Sequence, residues 1–159
     1  MSRNTLVVFY SHSGNTGKIA EAIGRQAQGE LFAIEPVSPY PASYNAVVEQ
    51  AKKEIRAGFH PELKAMPPKL EDRDVVFVGS PNWWSTIAPP IATFLVNADL
   101  SGKTVIPFCT HGGGGVGRVE KEIAALCPHS AVKAGLVVSG DGGARAEALI
   151  ADWLRTLAE

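Results

Sequence analysis

Acidic excess, paired cysteines and long apolar runs are missing from this chain, and each absence removes a class of function. Lys and Arg number 15 against 16 Asp and Glu, for a formal net charge of -1. There is therefore no basic stripe to hold a nucleic-acid backbone and no strongly acidic field to steer basic partners. The cysteines are only Cys109 and Cys127, far apart and without a CxxC, so neither a disulfide framework nor a dithiol motif is expected. His12, His60, His111 and His129 share no ligand spacing with one another or with the cysteines, and no metal site is expected. No segment reaches the length of a membrane span. The N-terminus enters a core strand without a charged leader region or cleavage site. A cytoplasmic protein with no membrane and no nucleic-acid partner is the expectation, built as one domain over 1–159.

What the chain does carry is alternation. Runs at 6–10, 31–35, 75–79, 104–109 and 135–139 read as strands, the first and third without any polar alternation, as in a parallel sheet covered on both faces. Between them, helical periodicity marks 15–28, 42–56, a helix carrying Ile91, Phe94 and Leu95, a helix with Val119, Ile123 and Leu126, and a closing helix over 144–157. Glu49, Lys52, Lys53 and Glu54 read as a solvated face, 58–74 as an irregular connection, and Trp153 and Cys109 as core. Five βα units predict an α/β fold: a three-layer sandwich around a five-stranded parallel sheet.

The first unit holds the most pointed chemistry. Residues 6–16 read LVVFYSHSGNT, an apolar strand that runs straight into a small, hydroxylated loop and then a helix. Ser11, His12, Ser13, Gly14, Asn15 and Thr16 put three hydroxyls and a glycine at a helix N-terminus, where unpaired N–H groups favour an anion and Asn15 or Thr16 is expected to cap. Each hydrogen bond to a charged acceptor contributes about 1.5–3 kcal/mol. The loop has no Arg or Lys before Lys18, and GNTGK lacks the GxxxxGK[ST] spacing of a polyphosphate clamp. A terminal monophosphate suits it better, the competing explanation being a polar turn with no ligand.

With strand order 2-1-3-4-5, the sheet reverses its winding between strands one and three, and ligands enter the crevice at the strands' carboxyl ends. The loops bordering it contain Pro81, Asn82, Trp83 and Trp84, and then Thr110, His111, Gly112, Gly113 and Gly114. One indole of the pair suits a flat heterocycle, while the other is expected to pack in the core or on a partner. Gly112, Gly114 and Gly117 spell GxGxxG, but in the fourth βα unit, away from the reversal; alternatively these glycines let backbone amides approach a ligand without a Cβ.

The stretch YSHSGNT resembles the phosphate loop of the flavodoxin family, [ST]-x-[ST]-G-x-T after the first strand, with Ser11, Ser13, Gly14 and Thr16 in the matching places. PNWW and THGGGG resemble the second and third flavin loops of one flavodoxin branch. The resemblance implies the flavodoxin-like fold in strand order 2-1-3-4-5, FMN as cofactor, and those three loops as its site. His111 is then placed to donate toward the N1/O2 edge of the reduced flavin or to face solvent, and no catalytic residue is assigned. Electron carriage between protein partners is the leading expectation. A flavin oxidoreductase taking hydride from NAD(P)H and reducing a quinone is the alternative, and a flavin-binding module without turnover the weaker one. Neither flavin-flanking loop carries Asp or Glu. Fewer anions near the ring imply a second reduction step less negative than in acidic flavodoxins. The sequence leaves the oligomeric state open.

Overall fold

Leu6 and Val8 point to one side of the central strand and Val7 to the other, and all three are buried, so the sheet has two covered faces. The computed structural model describes residues 4–158. In chain order the elements are β1 (Thr5–Phe9), α1 (Asn15–Ala27), β2 (Glu30–Ala33), α2 (Tyr44–Ala57), β3 (Val75–Pro81), α3 (Pro89–Asn97), β4 (Thr104–His111), α4 (Val119–Leu126), β5 (Ala131–Val132), β6 (Leu136–Ser139) and α5 (Ala146–Leu157). The strands pair in parallel in the order β2-β1-β3-β4, with β5 and β6 both on the free side of β4.

On one face, Ile19 and Ile23 of α1 and Ile150 and Trp153 of α5 pack over Val7, Phe77, Ile106 and Phe108. On the other, Val47 of α2, Phe94 of α3 and Ile123 of α4 cover Leu6, Val8, Val76, Val78 and Val105. These are the three layers expected from βα alternation. Gly79 belongs to that packing: a Cβ there would stand 2.1 Å from Cζ of Phe108, so only glycine lets the ring cross the strand.

The expected fifth strand at 135–139 is present as β6, and an additional two-residue strand, β5, precedes it on the same side of β4, so the described residues form a sheet of six. Lys103 O and Val105 O accept from Ala131 N and Lys133 N, each at 2.9 Å. Pro107, two residues further along β4, faces the same side with no N–H to give, so the ladder lapses there. Side chains meet the backbone groups left behind. Trp153 Nε1 donates to Ala134 O at 3.1 Å, and Gly135 N donates to Glu120 Oε1 at 3.3 Å. Pairing resumes at Phe108 with Leu136.

Helix ends differ in detail from the sequence expectation. Gly14, at φ 101°, is the N-cap of α1 with no side-chain cap, and Asn15 and Thr16 lie inside its first turn. In α2 the cap is Ser43, whose Oγ accepts from Ala46 N at 3.5 Å. The connection over 58–74 contains a 3-10 turn at Leu70–Asp72, and another at Gly143–Arg145 precedes α5.

Candidate functional site

The carboxyl ends of β1, β3 and β4 deliver the three loops to one place. In the first, Ser11 Oγ accepts from Gly14 N at 3.2 Å and from Gly17 N at 3.0 Å. Both lone pairs are used, and the hydroxyl proton remains to donate. Thr16 and Thr110, from the first and third loops, are buried and share a hydrogen bond between their Oγ1 atoms at 2.7 Å. One proton of the two is spent on that bond, so the pair offers a single further donor. Ser13 is exposed, and no acidic residue stands in the first turn of α1 to repel an anion. Lys18, the nearest cation in sequence, pairs with Asp141 at 3.2 Å.

The tryptophans part company. Trp83 turns inward and meets Tyr10, Tyr40 and His12 edge-on, with ring centroids 5.6, 5.1 and 6.0 Å away. Behind it the Tyr40 hydroxyl donates to Glu54, whose other oxygen accepts from Gln50 Nε2 at 2.9 Å. Burial first pushes both Tyr10 and Tyr40 well above the usual phenol range, with the Glu54 charge adding to it at Tyr10 and the hydrogen bond to Glu54, then its charge, at Tyr40. Glu54 is therefore half-buried and engaged, which corrects its reading as part of a solvated face.

Trp84 stays 46 % exposed, with Nε1 donating to Val48 O at 2.9 Å and Lys52 Nζ 5.3 Å from its ring centroid. Lys52, too, leaves the expected solvated face for an aromatic neighbour. Trp84 and Ser85 have φ of 55° and 70°, the two central positions of a tight turn closed by Trp83 N to Thr86 O at 3.0 Å and Thr86 N to Trp83 O at 3.1 Å. Left-handed backbone costs a side-chain-bearing residue about 1–2 kcal/mol. The surroundings hold it: Arg118 N donates to Ser85 O at 2.7 Å, in addition to the Trp84 tether. Strain maintained in this way belongs to places where a side chain must be aimed.

The third loop is tied to the second. Asn82 N donates to Thr110 O and Asn82 Nδ2 to Gly115 O, both at 2.8 Å. His111 Nδ1 accepts from Gly113 N at 3.0 Å, so the neutral ring carries its proton on Nε2. His12 Nε2 lies 3.0 Å from Pro41 O, which only accepts, so there the proton is also on Nε2 and Nδ1 is left over. Gly113 sits at φ 127°, a conformation few other residues adopt.

Between these loops lies a cavity of about 480 Å³, within the size range of small-molecule sites. From the first loop His12, Ser13, Asn15 and Thr16 line it, from the second Pro81, Asn82, Trp83 and Trp84, and from the third Thr110, His111 and Gly112. Ser11, Gly14, Gly113 and Gly114 are not part of that lining. A fourth wall comes from α2, through Tyr44, Val47, Val48 and Ala51. Sequence reasoning assigned this wall no role; its trace was the apolar face of 42–56 next to an unmatched tyrosine.

A sequence profile described as flavodoxin matches residues 4–157. The chain belongs to the flavodoxin family. Among solved structures, this flavodoxin-family chain is similar to a protein designated a flavoprotein from Bacteroides eggerthii, at 30 % identity and TM-score 0.86 with 98 % of each chain covered. A flavoprotein from Lactobacillus acidophilus, solved in complex with FMN, shares the fold at 24 % identity and TM-score 0.72, over 87 % of this chain and 93 % of that one. Oxidised flavodoxin 2 from Bacillus cereus does so at 18 % identity and TM-score 0.63, over 98 % and 97 %. No curated protein matches the chain.

The cysteines of this flavodoxin-family chain do not line the cavity. Burial, with the Glu120 charge adding to it, pushes the Cys109 thiol up to about 12, and burial alone takes Cys127 to about 11. Both are protonated at neutral pH and neither is a nucleophile. Among the described residues no cluster of His, Cys, Asp or Glu is placed to hold a metal, and no helix is long and apolar enough to cross a membrane.

Proposed function

We propose that this protein binds FMN in the cavity at the carboxyl ends of β1, β3 and β4 and carries electrons on it. The observation that carries the reading is the polarity of the cavity. At one end uncharged donors converge: the free proton of the Thr16–Thr110 pair, the Ser13 hydroxyl, and the N-terminus of α1, which Ser11 braces from outside the lining. At the other end stand indoles and aliphatic side chains. That is the division a phosphate tail and a flat apolar head require, and with no Lys or Arg in the lining a monoester is favoured over a polyphosphate.

The flavin, when bound, supplies one- and two-electron redox chemistry. The chain's own residues anchor the phosphate, wall off the ring with aromatic side chains, and present the His111 Nε2 proton from the third loop. Apart from the two histidines and Tyr44, no titratable group lines the cavity. That suits electron carriage between partners better than acid–base work on a substrate. The α2 wall favours a second reading, an oxidoreductase whose small acceptor meets the flavin directly.

The test begins with the visible spectrum of the purified protein and with the affinities for FMN and riboflavin, FMN being expected to bind more tightly. Anaerobic stopped-flow mixing with NADPH then separates the two roles. Slow bleaching unless a reductase is added supports the carrier; rapid bleaching refutes it. Equal affinity for both flavins removes the phosphate assignment.

A further inference from the structure

Two histidines line the cavity and no lysine or arginine does, so only an imidazole can bring a full positive charge to what it binds. The two rings are not equivalent. His111 Nδ1 already accepts from Gly113 N at 3.0 Å, and a proton added there would set one N–H against another and break a bond within the third loop. His12 has no such conflict. Its Nε2 donates to Pro41 O at 3.0 Å, which leaves Nδ1 as an acceptor without a partner among the described residues. A second proton on this ring costs no existing bond, and it strengthens the one to Pro41 by making it charge-assisted.

We infer that His12 is the charge partner of the phosphate: FMN binding draws a proton onto Nδ1, and the imidazolium so formed selects a dianionic monoester. The inference rests on the FMN reading above. His12 stands between Ser11 and Ser13 and lines the cavity together with Ser13, Asn15 and Thr16, at the end where the uncharged donors meet. Its ring is kept in place by the edge of Trp83, with centroids 6.0 Å apart, as well as by Pro41. The charged groups nearby are otherwise committed. Tyr10 and Tyr40 flank the same indole and burial keeps both phenols neutral, while the Glu54 carboxylate is engaged by Tyr40 and Gln50. On α1 Lys18 pairs with Asp141; on α2 Lys52 lies over Trp84, and Tyr44 is exposed. One proton passes from solvent to His12 Nδ1 as the phosphate enters, and it returns when the phosphate leaves.

The test titrates FMN and riboflavin into the full, flavin-free chain between pH 6.5 and 8.5, by calorimetry in two buffers of different ionisation enthalpy. Wild type, His12→Gln and His111→Gln are compared. Glutamine in place of His12 keeps a donor for Pro41 O and removes the nitrogen that titrates. Wild type should bind FMN about threefold to tenfold more tightly at the acid end of that range, and should take up a fraction of a proton at intermediate pH. The sign is diagnostic, because the phosphate's own ionisation, at about pH 6, can only weaken binding of the dianion as pH falls. Riboflavin should show neither effect, His12→Gln should lose both, and His111→Gln should keep both. Proton uptake that is absent in wild type, survives in His12→Gln, disappears in His111→Gln or accompanies riboflavin equally overturns the inference. If His12→Gln folds poorly, NMR of the wild type decides: the His12 ring resonances move to the imidazolium position on adding FMN, or by staying they overturn the inference. Failure of the wild type to bind FMN at any pH overturns the parent reading instead, and the first titration keeps the two failures apart.

Discussion

Replacing Thr16 by valine tests the phosphate assignment at its most buried point. The Thr16 and Thr110 hydroxyls are 2.7 Å apart, and both side chains are almost fully enclosed. Valine keeps the shape and removes one oxygen. If the pair donates its spare proton to the phosphate, the loss is one charge-assisted hydrogen bond, about 1.5–3 kcal/mol, which is about 10- to 150-fold in affinity for FMN. Riboflavin has no phosphate, so its affinity should barely move. Stability should also fall, because the Thr110 hydroxyl is left buried without its partner, at about 1–3 kcal/mol. The double variant Thr16→Val with Thr110→Val removes both groups and should recover much of that stability, while FMN stays weakly held. Fluorescence titration with the two flavins and urea unfolding of the wild type and both variants give the numbers. Equal losses for FMN and riboflavin, or FMN affinity restored in the double variant, would refute the reasoning.

Gly79→Ala should destabilise by about 3 kcal/mol or more, since its Cβ would collide with the buried Phe108 ring; an unchanged urea midpoint would contradict that packing. Ser85→Gly relieves left-handed strain of about 1–2 kcal/mol against an unfolded-state entropy cost of about 0.5–1 kcal/mol, so stability should rise slightly, and a lowered melting temperature would show that Ser85 is held by something other than strain. Burial raises the folded-state values of Tyr10, Tyr40, Cys109 and Cys127. Their contribution is therefore complete below the unfolded thiol value of about 8.5 and is lost as pH climbs, through the thiols first and the phenols later. Melting temperatures should fall progressively above that point, and a thiol reagent at pH 8 should label neither cysteine until the protein unfolds; rapid native labelling would be the contrary result.

The architecture was legible because apolar runs such as 6–10 and 75–79 and the helices between them can be satisfied only by a parallel sheet covered twice. The break between β5 and β6 was legible in principle. Pro107 stood in the middle of a strand pattern, and its missing donor is what interrupts the ladder. The first loop's hydroxyls showed in the sequence as residue types, but not in their division of labour, with Ser11 bracing the backbone while Thr16 meets Thr110 from the third loop. Pairing across 94 positions leaves no local trace. The role of α2 was hidden for a similar reason. Periodicity separates the inner face of a helix from its outer face, but not which neighbour arrives at its flank. Tyr40, carried by the preceding loop, reaches Glu54, and Trp84, from beyond β3, reaches Val48 and Lys52.

The lapse opposite Pro107 also bears on how this scaffold can be altered. Lys133 and Ala134 are exposed, and past the Lys133 N–H, which still bonds Val105 O, the backbone of Ala134 and Gly135 answers to side chains of α5 and α4 instead of a neighbouring strand. Chain length at that point is not counted by any ladder register. A graft between Lys133 and Gly135 would meet mainly a loop-closure cost, growing by only about 0.6 kcal/mol per doubling in length. The outer margin of the sheet is thus its natural port for added modules, on the side of β4 away from β1.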